Sequence, residues 1–155
     1  MKTTQKILSV LLVAIITCTL LLTGCQNDKL VIETPDTTPE TNLVITDTTI
    51  VIKITQEAIA GASDMTLMDY MTQLKEADKL DFEISDGMIT SINGVENPVD
   101  YSSCWMLYTS DEENANKAWG TVEYEGKEYG SAVSGAEALK IKADQLYIWV
   151  YKSLS

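Results

Sequence analysis

Residues 103–110 read SCWMLYTS and hold the one cysteine that lies outside the N-terminal region, Cys104. A nucleophilic thiolate needs a lowered pKa, which a neighbouring histidine or cation supplies. The chain has no His and no Arg, so no imidazole can pair with Cys104 or act as general base. Cys104 is therefore expected as a structural cysteine inside a strand. No Ser-x-x-Lys or Gly-x-Ser-x-Gly stretch offers a serine nucleophile. A glycosidase needs two placed carboxylates, but with 23 Asp and Glu a chance pair is inevitable. Zinc chemistry needs Cys/His clusters, which are absent. Asp111-Glu112-Glu113 offers oxygen ligands without the glycine-turned calcium loop, and reads as a solvated acidic loop. The residues predict a binding module rather than an enzyme, with no catalytic residues, metal or cofactor.

The chemistry that is left belongs to rings. Trp105, Tyr108, Trp119, Tyr147, Trp149 and Tyr151 are the candidate ligand-binding set. Aromatic side chains offer broad apolar area at low entropic cost, which suits flat ligands and protein partners alike. Core packing is the competing role. Trp105, inside a strand, leans toward the core, whereas Trp119, in the polar stretch DEENANKAWG, leans toward a ligand.

The N-terminus decides where such a module works. Lys2 and Lys6 precede an apolar run from Ile7 to Leu22, and Leu22-Thr23-Gly24-Cys25 follows. This is the form of a secretory signal, and its end resembles a lipobox, in which Cys25 becomes a lipidated N-terminus. The run is shorter than the ~20 residues of a spanning helix. Residues 1–24 are thus expected as signal peptide and 25–42 as a tether rich in Thr, Pro and acid. The domain is expected over 43–155. An alternative for Leu30-Val31-Ile32 is an edge strand. The formal charge of −12 becomes −14 without Lys2 and Lys6. Such a surface excludes nucleic acid, whose phosphates need Lys and Arg. The expected membrane partner is reached through lipid on Cys25, on the extracellular face.

The elements that must position the rings are legible from pattern. Ile50, Ile52 and Ile54 alternate with Val51 and Lys53, a half-buried strand. Thr66-x-x-Asp69 resembles a capping box, and Leu67, Met71 and Leu74 make one apolar stripe on a helix over about 66–77. Asp86-Gly87, Asn93-Gly94 and Glu125-Gly126 mark tight turns. In the last strand, Leu146, Ile148 and Val150 alternate with Tyr147, Trp149 and Tyr151. The expected fold is α+β, a β-grasp-like mixed sheet with one main helix packed on one face. The aliphatic side of the last strand is expected beneath that helix, leaving the aromatic side facing away.

A helix beginning at TLMDYM, then Ser91-Ile92-Asn93-Gly94-Val95, Trp105-Met106-Leu107-Tyr108 and Trp149-Val150-Tyr151 resemble, in this order, the transcobalamin-like C-terminal domain family. The resemblance spans about 45–152. It implies a β-grasp domain of the soluble-ligand-binding type, a corrinoid as ligand, and a setting on lipid-anchored surface proteins of Gram-positive bacteria. Two features depart from it. Ala143-Asp144-Gln145 replaces the Gly-Asp turn before the last strand, and no helical companion domain is present in this chain. With no His, a corrinoid would be held by stacking and hydrogen bonds, as ligand and not as catalytic cofactor. The function expected is capture of a small soluble ligand such as a corrinoid. The alternative is a protein-interaction or adhesion module at the cell surface.

Overall fold

The computed structural model describes residues 30–31, 42–62 and 64–154. The expected signal peptide, Cys25 and most of the expected tether lie outside these residues. Ten strands and one α-helix follow in order: β1 (Leu30–Val31), β2 (Leu43–Ile45), β3 (Thr49–Lys53), α1 (Leu67–Glu76), β4 (Phe82–Ser85), β5 (Met88–Ile92), β6 (Val95–Glu96), β7 (Ser103–Thr109), β8 (Ala115–Tyr124), β9 (Lys127–Ala132) and β10 (Leu146–Ser153). They form a seven-stranded sheet, β1-β8-β9-β7-β10-β3-β2, and a separate three-stranded sheet, β4-β5-β6. Among the described residues, only the β1–β8 pair is parallel, with Leu30 opposite Val122.

This corrects the expected α+β, β-grasp-like fold. The described residues are 46% strand and 12% helical, so the protein is β-rich with one short helix. A ten-residue helix is only about 15 Å long, too short to cover a seven-stranded sheet. The second sheet covers much of what the helix leaves bare. The Asp86-Gly87 turn joins β4 to β5 as a hairpin but does not say which sheet the hairpin belongs to.

The local signals hold. At each of the three turns both residues have positive φ: Asp86 51° and Gly87 78°, Asn93 48° and Gly94 80°, Glu125 50° and Gly126 71°. That is the backbone a type I′ hairpin turn requires. Thr66 caps α1: its hydroxyl accepts the Asp69 N–H at 3.2 Å, and Asp69 accepts the Thr66 N–H at 2.9 Å. The next two free N–H groups, on Leu67 and Met68, donate to the carbonyls of Leu139 and Ala136. The cap thus holds the helix start against segment 136–141. Thr66→Ala is expected to cost about 1 kcal/mol, read as a lower urea midpoint with an unchanged slope.

The face of β10 is reversed from expectation. Tyr147 and Trp149 are buried with Leu67 and Met71 of the helix, together with Ile50, Ile52, Ile92 and Leu107, in the main core. Ile148 and Val150 lie on the opposite face with Val51, Tyr108, Val122 and Tyr124. Alternation separated two faces correctly. Both were apolar, so alternation could not say which one met the helix. Each buried residue of both clusters lies between Ile50 and Val150, so residues 43–154 contain the core of this domain.

Candidate functional site

A groove of about 440 Å³ opens along the seam between the small sheet and the helix start. Gly87 to Thr90 of the first hairpin form one wall. Met68 and segment 131–136 form the other. The floor is Trp105 and Leu107 of β7 with Trp149 of β10. Leu107 lies directly opposite Trp149 in the ladder, which puts both side chains on one face. The volume lies within the usual range for small-ligand sites.

All three tryptophans of the chain line this groove. They play different parts. Trp105 is buried, and its Nε1 donates to the Val95 carbonyl at 2.8 Å. Its backbone N–H donates to Asn97 Oδ1 at 3.0 Å, while Asn97 Nδ2 donates to the Ile89 carbonyl at 2.9 Å. Asn97 thereby links β7 to the small sheet across the groove floor. Trp149 is 5% exposed, and Trp119 is 63% exposed at the rim.

Trp119 stands in β8, not in a polar loop as expected. The β8–β9 register jumps from Asn116↔Ser131 to Thr121↔Gly130, so residues 117–120 bulge out of the ladder. The bulge fits because residue 130 has no side chain. A Cβ at Gly130 would lie 2.9 Å from the Lys117 nitrogen and 3.0 Å from the Asn116 carbonyl carbon. The acidic stretch before it is a short 3-10 turn, Glu112–Asn114, capped by Asp111.

The other three candidate rings do not reach the groove. Tyr108 is buried on the opposite face, directly across from Ser131. Tyr147 is fully buried, and its hydroxyl accepts the Lys142 N–H at 3.0 Å. Tyr151 is half-buried against Trp105, with ring centroids 5.5 Å apart, and donates to the Glu96 carbonyl at 3.0 Å. These three are structural: Tyr147 and Tyr151 each tie a neighbouring segment to β10. The expected open aromatic row on β10 does not exist, because large rings fill the space below a short helix.

Sequence reading missed the methionines. Met68, Met88 and Met106 line the groove, and Met88 and Tyr101 are more than half exposed at its mouth. Met68 could have been noticed, since it lies beside the Leu67–Met71 stripe. Met88 directly follows the Asp86-Gly87 turn, and nothing in its spacing marks it. The loop between β6 and β7 also supplies groove residues, Asn97 and Tyr101.

Cys104 is half-buried, lines the groove and has its Sγ 3.5 Å from Met106 Sδ. Burial pushes its thiol pKa up, which keeps it protonated at neutral pH. Among the described residues, no group of three or more Cys, Asp and Glu is placed to hold a metal ion. Asp111 and Glu113 instead hold Lys142 Nζ, at 2.9 and 2.6 Å.

Residues 64–128 match the model of a family described as a domain of unknown function (DUF4430). The matched stretch runs from just before α1 to the start of β9. It includes Trp105, Trp119 and the first hairpin, and stops before Trp149. That description assigns no ligand or activity. No curated protein and no solved structure matches the chain. Among the described residues, no helix is long and apolar enough to cross a membrane.

Proposed function

We propose that this protein is a small-ligand binding module whose site is the tryptophan-lined groove. One observation carries the reading: none of the described residues lining the groove is charged, in a chain where 22% of residues are Asp, Glu or Lys. A solvated surface of this protein would include charges. A strip without them, floored by indole rings and edged with methionines, resembles the apolar lining of small-molecule sites. The sequence of residues 1–25 supports placing the module on the extracellular face of the membrane, held by lipid on Cys25. It would then act as a surface receptor that captures a soluble ligand.

The transcobalamin-like resemblance makes a corrinoid the first candidate. A corrinoid is larger than the groove, so this domain would hold it by one edge or one side arm, with Trp119 against the ring. A second protein would have to supply the other half of the site. The alternative, a protein-interaction or adhesion module, is favoured by the exposed rim of Met88, Tyr101, Trp119 and Val133. Such a rim would suit an apolar partner surface as well.

Trp119→Ala separates binding from folding, because a mostly exposed ring contributes little to the core. Its effect on stability is expected to stay within about 0.5 kcal/mol. Its effect on ligand affinity is expected to be about tenfold or more. The measurement is tryptophan-fluorescence titration of residues 26–155 with cobalamin and cobinamide, corrected for corrin absorbance. Saturable quenching weakened by the substitution supports corrinoid capture. Absence of quenching at high micromolar concentration removes the corrinoid and leaves smaller neutral ligands and protein partners to be tested.

A further inference from the structure

Four of the eight large apolar side chains exposed among the described residues ring the mouth of the groove: Met88, Tyr101, Trp119 and Val133. They come from four separate segments, so it is the fold that gathers them. An exposed apolar rim of this kind marks contact with another apolar phase. Which phase follows from where the N-terminal segment joins the sheet. β1 runs parallel to β8, with Leu30 opposite Val122 and Val31 opposite Glu123. The chain therefore reaches Leu30 from the Thr121 side, the end of β8 that holds the 117–120 bulge and Trp119. The far wall of the groove shares that end: Ala132 lies opposite Ala115, and the Val133 N–H donates to the Asn114 carbonyl at 2.9 Å. Five residue steps lead from Leu30 back to Cys25. Fully extended they span at most about 18 Å, well under the roughly 30 Å diameter of a small domain. A lipid on Cys25 would hold this end of the domain, and not the opposite one, against the bilayer.

We propose that the groove rim is a bilayer-docking surface whose occupant is the outer face of the membrane. This rests on lipidation of Cys25 and not on the identity of the groove's ligand. Trp and Tyr suit the bilayer–water interface, where the ring meets the acyl boundary and its N–H or O–H meets headgroups and water. Met88 and Val133 add apolar area beside them. Lys117, exposed in the Trp119 bulge with its Nζ 4.0 Å from Glu128, places a cation where lipid phosphates lie. The acidic faces of this chain are poorer contacts, because a carboxylate pressed against lipid loses its hydration. The uncharged groove mouth carries no such cost. Docking and capture of a soluble ligand would use the same rim, so the two exclude each other.

The test uses the full chain expressed in a bacterial host, extracted from the membrane and placed in phosphatidylcholine vesicles with or without bromine on the acyl chains. Mass spectrometry of the N-terminal peptide reports lipid on Cys25. Bromine quenches a tryptophan only at close range. Trp105 and Trp149 are buried in the protein, so quenching reports Trp119, and Trp119→Phe identifies its share. The expected result is a blue-shifted Trp119 emission that is lost in brominated vesicles. Replacing Met88 and Val133 together by Ser is expected to restore much of that emission with the lipid still in place; both side chains are exposed, so the fold is kept. Lipidated protein on vesicles with Trp119 unquenched overturns the proposal, leaves the anchor standing and frees the rim for a protein partner. Equal quenching in wild type and the double Ser variant also overturns it, since the tether alone would then bring Trp119 to the bilayer. A chain without lipid on Cys25 removes the proposal and the anchor together, while the groove reading keeps its own titration.

Discussion

Gly130→Ala is expected to destabilise the domain by about 3 kcal/mol and to abolish groove binding as well. The added methyl would sit 2.9 to 3.1 Å from three backbone atoms of Asn116 and Lys117. No flexible side chain is available to yield, so β8 itself must move. Gly130 lies in register with both Thr109 of β7 and Thr121 of β8, which fixes it from either side. The strand that can move is the bulged one, and it carries Trp119. Stability would be read from urea unfolding and binding from the fluorescence titration. An alanine variant within about 0.5 kcal/mol of wild type, still binding ligand, would mean that the bulge is not held in place by Gly130.

The second large effect centres on Asp111, a buried carboxylate at the end of β7. It accepts from Lys142 Nζ at 2.9 Å, Asn114 Nδ2 at 2.7 Å and the Glu113 N–H at 3.3 Å. Asp111→Ala removes all three bonds and releases the 3-10 turn that leads into β8. The expected cost is about 2 kcal/mol. It is less than for a fully buried ion pair, because the Lys142 side chain is 41% exposed and partly screened by water.

The pH dependence has a definite sign. Burial pushes the Asp111 carboxyl up, but the bonds from Lys142, Asn114 and Glu113 together outweigh it and hold it below the usual carboxylate range. The unfolded chain therefore takes up this proton first. The stabilisation is complete above about pH 4 and is lost as pH falls through the lower folded value. Hydrogen bonds from Asp111 and Glu113 push Lys142 above the ordinary lysine range, so its contribution is complete below about pH 10 and fades only in stronger alkali. Urea midpoints of wild type and Asp111→Asn are expected to differ most between pH 5 and 9 and to converge below about pH 4. A gap that persists unchanged at pH 3 would show that the loss comes from packing, not from the charge.

Much of the local structure was legible in the residues. The strand through Ile50 and Ile52, which proves buried on both faces rather than half-buried, the Thr66 cap, the Leu67–Met71 stripe and the three Gly-containing turns all depend on contacts within a few positions. Alternation and capping report such contacts directly.

Three things were decided only in three dimensions. The first is how many sheets there are. FEIS and MITSI pair with each other and not with β7, and what joins the sheets is the side chain of Asn97 together with the rings of Trp105 and Tyr151. The second is which face of β10 is inside. Both faces are apolar, and it is the face of Tyr147 and Trp149 that packs with the helix. The third is the meeting of the tryptophans. Trp105, Trp119 and Trp149 are brought to one groove by a short helix that leaves a seam, and by a glycine that lets a distant strand bulge. Neither the length a helix must cover nor the room beside residue 130 is written in the spacing of the residues themselves. Both are properties of the packed assembly.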